Sequence, residues 1–223
     1  MSKDKMVENW EVLEDGLNKL CIFLTNEGIY NRQMLPTNAV LAVIASLYSI
    51  IPETLDERGK CEILLKKYLW SSFFTDRYEN SAASRAFKDH SILKNIILKK
   101  QKDNGLPYYE NEIPALNREM HAISDIDFLS KTGWPKRENI RARAIMCVAS
   151  KLGAYDFADG QKLSLENIEE RDYHHIFPKA ILKDLEVNPD LALNCAIITS
   201  STNKSLGAKA PMEYIKEKYK VFD

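Results

Sequence analysis

The stretch from Ala39 to Ile51 constrains this chain more than any other segment. Ala39, Val40, Leu41, Val43, Ile44, Leu47 and Ile51 make it apolar on nearly every side at helical spacing. A helix without a polar face has to be surrounded by protein. Ser46, Tyr48 and Ser49 interrupt the run, which falls well short of the roughly 20 residues a membrane-crossing helix needs. Pro36 and Thr37 supply a helix start just ahead of it. The rest of the chain therefore has to wrap this element.

The neighbouring segments have the period to do so. From Trp10, the residues Leu13, Leu17, Leu20, Cys21 and Leu24 recur at three- and four-residue steps, and Gly28 supplies a stop. A third helix is predicted to begin near Arg58, with Cys61, Leu64, Leu65, Tyr68 and Leu69 on one side, leading into Trp70, Phe73, Phe74 and Tyr78. Between Lys102 and Pro114, Gly105, Pro107 and Pro114 predict a long loop or hinge with the weakest packing in the chain. A later helix is predicted over Glu138 to Leu152, closed by Gly153, with Arg137, Arg141 and Lys151 forming a basic outer face. No internal repeat or low-complexity tract is present, so neither a solenoid nor a disordered arm is expected.

A formal net charge of −1 means that any nucleic-acid contact must come from local patches. Lys131 to Lys151 carries six basic residues against one acid, and so does Arg85 to Lys102. Such runs are most often solvated helix faces, so they permit nucleic-acid binding without indicating it. Cys21, Cys61, Cys147 and Cys195 are far apart with no CxxC pair, which argues against a disulfide framework and a cysteine-bound zinc and for reduced core thiols. The N-terminus is charged and shows no signal peptide, so a cytoplasmic protein without membrane association is expected.

After Gly160 the texture changes. DYHHIF and LNCAIIT are short β-branched and aromatic runs that predict strands, separated by a loop holding Asn188, Pro189 and Asp190. Ser201 or Thr202 caps a helix start, and Pro211 opens a last helix. The expected fold is mainly α: a helical body over residues 1–160 and a small strand, strand, helix module over 161–223. Adjacent His174 and His175 in a strand point to opposite faces, so they are expected to do different work. Phosphodiester hydrolysis needs a base for water and a cation for the charge that builds on phosphate, and one imidazole can serve each need. A histidine pair taken by itself is more often structural.

YHHIFPKAIL, followed by Asn194 at the second strand and Asn203-Lys204 at a helix start, resembles the HNH nuclease pattern in order and spacing. The resemblance implies a ββα-metal module that hydrolyses DNA with one divalent ion, Mg²⁺ or alternatively Mn²⁺. It implies His174 and Asn203 as metal ligands, His175 as general base and Asn194 as the residue that orients it. HHIFPKAIL with NKSLGAKAPMEYI resembles more narrowly the C-terminal nuclease domain of GmrSD-type restriction enzymes, which attack modified phage DNA. WSSFFTDRYENSAASRAFKD resembles the helical segment that precedes that domain, so the similarity covers most of residues 10 to 223. The chain departs from those enzymes in lacking a DGQQR-like motif and a ParB-like domain, and from many HNH proteins in lacking CxxC knuckles. The expected activity is an endonuclease of anti-phage defence. The alternative is a non-catalytic DNA-binding or assembly subunit that works with a nucleotide-hydrolysing partner.

The remaining candidates have bland readings beside the functional ones. Pro178 either turns the chain, as the family implies, or simply ends a strand. Lys204 and Lys209 are candidate phosphate contacts or ordinary solvated lysines. Arg77 and Tyr78 bind phosphate or a partner domain, or else only pack. His90 and His121 are expected to be structural, and no glycine-rich phosphate loop is present.

Overall fold

The computed structural model describes residues 3–102, 110–136, 138–157, 159–207 and 209–222. The chain is mainly helical, with one small antiparallel two-stranded sheet near its C-terminus. It divides into two compact units, the first built from residues 1–23 and 37–124, the second from 24–36 and 125–223. The boundary expected after residue 160 thus falls inside the second unit. Among the described residues no helix is long and apolar enough to cross a membrane.

In the first unit the apolar segment forms helix α3 (Ala39–Tyr48), with Val40, Ile44 and Leu47 wholly buried. It packs against α4 (Leu55–Phe74) and α5 (Ala82–Lys102), which supply Leu64, Leu65, Tyr68, Leu69, Leu93 and Ile97 to the same core. The α2 helix (Trp10–Asn26) follows α1 (Lys3–Glu8) and crosses α3 closely: a Cβ on Gly16 would lie 2.5 Å from the Ala45 carbonyl oxygen. Glycine at this crossing removes the clash that any other residue would create. Part of the expected loop, residues 103–109, lies outside the described residues. Its far end is not weakly packed, because Ile113, Ala115 and Leu116 are buried.

The first unit also holds a buried polar cluster. Arg77 donates through Nε and Nη2 to the two oxygens of Asp89 at 3.1 and 2.8 Å, and Tyr78 donates to the same carboxylate at 2.6 Å. The Tyr68 hydroxyl lies 2.6 Å from that of Tyr78, and burial pushes both phenols above their ordinary range. His121 Nδ1 sits 2.6 Å from Asp76, with Nε2 at 3.4 Å from Arg77. Arg77, Tyr78 and His121 are therefore interior packing residues. His90 lies part-buried on α5, where burial lowers its pKa.

The second unit contains α6 (Ile126–Ser130), α7 (Ile140–Lys151), strand β1 (Arg171–His175), α8 (Lys179–Asp184), strand β2 (Cys195–Thr199), α9 (Ser200–Leu206) and α10 (Pro211–Phe222). β1 pairs antiparallel with β2 from Arg171 opposite Thr199 to His175 opposite Cys195. Behind the sheet Ile198, Leu206 and Tyr214 form a core with Phe157 and Ala196. The α7 helix packs on β2. Its N-cap Asn139 side chain accepts from the Ala142 amide, the bond that favours Asn at a helix start.

The basic outer face expected on α7 is reduced, among the described residues, to Lys151. Arg141 is buried, and so is Arg143, which donates to the Gln33 and Pro36 carbonyls at 3.2 and 2.7 Å. Lys151 is tied to the Asn26 carbonyl and to Glu27, while Arg137 lies outside the described residues. The segment 24–36 thus uses these cations to satisfy its own backbone. Gly28 makes this approach workable, since its φ is +76° and a Cβ there would meet the Lys151 amide nitrogen at 2.7 Å.

All four cysteines are free thiols. Cys61, Cys147 and Cys195 are buried, and burial raises the pKa of Cys147 and Cys195 to about 12. Cys21 is exposed on α2. A thiol reagent at neutral pH is expected to label Cys21 alone in the native protein and the other three only after denaturation, as read by intact mass. Rapid native labelling at Cys147 would contradict this packing.

Candidate active site

The chemistry-bearing residues gather around one end of the sheet. Tyr173, His174, His175, Pro178, Lys179, Ala180, Asn203 and Gly207 line an open depression of about 370 Å³. The strand alternation separates the two imidazoles as expected. His174 faces α9, where its Nδ1 lies 2.6 Å from Asn203 Oδ1, and Phe157 approaches it from the core with ring centroids 6.4 Å apart. His175 turns instead toward Asp190 and Trp134.

Local sequence explains why α9 starts where it does. Thr199 caps the helix, its side chain accepting from the Thr202 amide, which satisfies one of the unpaired N–H groups at the first turn. Asp156 anchors the same corner from inside. It is fully buried and accepts from Arg171 Nη1 at 3.0 Å, the Thr199 amide at 2.8 Å and the Thr202 hydroxyl at 3.3 Å. One carboxylate thereby ties the start of β1 to the end of β2 and to α9, and so fixes Asn203 opposite His174. Nothing near Asp156 in the sequence marks it for this task.

His175 is held on two sides. Its ring stacks on Trp134 with centroids 3.7 Å apart and planes 11° apart, and Nε2 lies 2.9 Å from Asp190 Oδ1. The same oxygen accepts from Lys179 Nζ at 2.8 Å, and these two partners, Lys179 first, hold the Asp190 carboxyl below its usual range. An ionised carboxylate only accepts, so Nε2 is the protonated nitrogen and Nδ1 carries the lone pair. Burial lowers the pKa of His174, outweighing the bond to Asn203. It is therefore neutral near pH 7, the form in which histidine ligates metals.

Asn194 acts on the loop and not on the His175 ring. Its Oδ1 accepts from the Phe177 amide at 2.8 Å, and its Nδ2 donates to the Phe177 and Pro189 carbonyls at 3.0 and 2.9 Å. The segment leaving β1 is thus stapled to the one entering β2. Pro178, buried, serves as N-cap of α8 and turns the chain. Lys204 and Lys209 are exposed near the site, but the lysine lining the depression is Lys179.

The donor set suits a hard or borderline divalent ion. The imidazole nitrogen and the amide oxygen are joined by a direct hydrogen bond, Nδ1–H donating to Oδ1, and both would become available to an ion only once that proton moves to Nε2. Among the described residues no group of three or more His, Cys, Asp and Glu side chains forms a metal cage. The pair supplies an amide oxygen, which suits Mg²⁺ or Mn²⁺, and an imidazole nitrogen, which suits borderline ions better, with no carboxylate of the kind that usually binds Mg²⁺.

Sequence reasoning missed Trp134, Asp190 and Lys179. Trp134 reaches the site because Gly133 bridges to Leu191 and the Ala192 amide donates to the Thr132 carbonyl at 2.9 Å. No family model matches the chain, and no solved structure does. The chain is similar to a protein of Methanocaldococcus jannaschii described only as uncharacterized, at 26% identity over 156 residues. That match takes in 69% of this chain and 25% of the archaeal protein, so the chain spans about a quarter of the curated relative it resembles.

Proposed function

We propose that this protein is a single-metal DNA endonuclease of the HNH type, with its C-terminal strand, strand, helix segment acting as a ββα-metal module. The observation that carries the reading is the placement of two unlike histidines in one depression. His174 is paired with Asn203 as a ligand set, and His175 is held by Asp190 and Trp134 as a base. Their order along the chain, with Asn194 stapling the intervening loop, supports a relationship to the GmrSD-type nuclease domain and hence a role in restriction of modified phage DNA.

In this mechanism His174 and Asn203 would hold the ion. His175 Nδ1 accepts a proton from a water molecule as its oxygen attacks phosphorus and the opposite phosphorus–ester oxygen bond breaks, the departing oxygen taking a proton from solvent. Asp190 stabilises the imidazolium that results, because its charge faces Nε2–H at 2.9 Å. Trp134 fixes the ring plane, so the lone pair keeps one direction. The ion, when bound, neutralises charge on the phosphate and the departing oxygen.

Supercoiled plasmid incubated with the purified chain is expected to be nicked or linearised with Mg²⁺ or Mn²⁺ and to stay intact once EDTA is added. Parallel reactions on modified and unmodified DNA read the substrate preference. Cleavage that persists in EDTA would sink the metal-dependent reading.

The limited coverage of the longer archaeal relative favours a second reading: a DNA-binding or assembly subunit whose site is idle until a nucleotide-hydrolysing partner docks. Calorimetry of Mn²⁺ binding, with DNA binding by His174→Ala, separates the two. An isolated chain that takes up no ion and binds DNA regardless of His174 supports the second.

A further inference from the structure

Lys179 opens α8 directly after Pro178 and lines the same depression as His174, His175 and Asn203. Its Nζ shares Asp190 Oδ1 with His175 Nε2, at 2.8 and 2.9 Å. The two bonds are not equivalent. The His175 side chain is 19% exposed and stacked on Trp134, whereas that of Lys179 is 59% exposed. An ion pair that open to water holds its partners only weakly, because both charges keep much of their hydration. Lys179 is therefore easily drawn to another anion, and Asp190 remains with the ring.

A DNA strand entering the depression supplies that anion. A phosphate oxygen there can take a charge-assisted bond from an ammonium. Resting on the nuclease reading above, we propose that Lys179 is a substrate contact that exchanges Asp190 for a DNA phosphate, leaving Asp190 to act on His175 alone. Asp190 is then a positioning residue. Substrate arrival and full orientation of the base become one event, because Asp190 Oδ1 no longer divides its charge between two donors once the lysine has moved.

The test uses the full chain as wild type, Lys179→Ala, Lys179→Arg and Asp190→Asn. Plasmid cleavage is measured with Mg²⁺, and binding of a short duplex is measured in EDTA. Lys179→Ala is expected to raise KM about tenfold with kcat retained, and Lys179→Arg to recover most of that loss. In EDTA, Lys179→Ala lowers the slope of log affinity against log salt by about one, the signature of one lost phosphate contact. Asp190→Asn lowers kcat by up to about 10²-fold while KM and the salt slope stay at wild-type values. Wild-type KM and salt slope in Lys179→Ala overturn the proposal and leave the nuclease reading standing. A wild-type chain that neither binds nor cuts DNA overturns both.

Discussion

Replacing His175 with alanine is expected to slow plasmid cleavage by about 10²–10⁴-fold, the range set by removal of a positioned general base. The residual rate reflects the ion and the bound geometry, which His174 on β1 and Asn203 on α9 would supply independently of His175. Folding should survive. The His175 side chain is partly exposed, its backbone pairing with Cys195 is retained, and Asp190 keeps its bond to Lys179. Circular dichroism and a thermal midpoint close to wild type would establish this. Retention of the full rate in a folded His175→Ala protein would end the base assignment, whereas loss of rate together with loss of fold would be answered by the isosteric His175→Asn.

Asp89→Ala is expected to be the most damaging change in the first unit. Asp89 is wholly buried and holds Arg77 through both oxygens, with Tyr78 as a third donor. Deleting it strands a guanidinium whose side chain is 6% exposed, beside the Tyr78 phenol, which has lost its acceptor. Removing one partner of a buried pair typically costs about 3–5 kcal/mol, because the remaining charge keeps its desolvation penalty without compensation. The urea midpoint should fall accordingly, and Asp89→Asn, which can still accept from Arg77, should fall less. A shift below about 1 kcal/mol for the alanine variant would show that the cluster is more hydrated than its burial indicates.

This cluster also answers a question the sequence left open. RYENS could have been a binding motif or an interior one, since arginine and tyrosine serve both. Burial decides it, and burial depends on partners such as Asp89 and His121, which no local pattern announces. The helices were legible because a 3.6-residue apolar period survives any tertiary arrangement. The strands were legible for a similar reason, as β-branched runs between turn residues. Positions fixed by long-range bonds were not. Trp134 comes to His175 through the bridge between Gly133 and Leu191, and α7 hides Arg143 because segment 24–36 turns its carbonyls toward it. A helical wheel marks Arg143 as polar and therefore outward, but it carries no information about unpaired carbonyls arriving from elsewhere in the chain. The two histidines could be separated by role from alternation alone, whereas the carboxylate and the indole that give His175 that role could not.

The composition of the second unit bears on how its site can be moved or isolated. Residues 24–36 lie ahead of the first unit's main body in the chain, yet they close Arg143 and accept from the Cys147 thiol at 3.3 Å through the Met34 carbonyl. A fragment beginning at residue 125 would keep every side chain around His174 and His175 but would leave a buried guanidinium facing solvent-opened space on α7, the helix that backs β2. The smallest transplantable unit is consequently discontinuous in sequence. Grafting this site onto another scaffold requires both segments, 24–36 and 125–223, joined by a new linker.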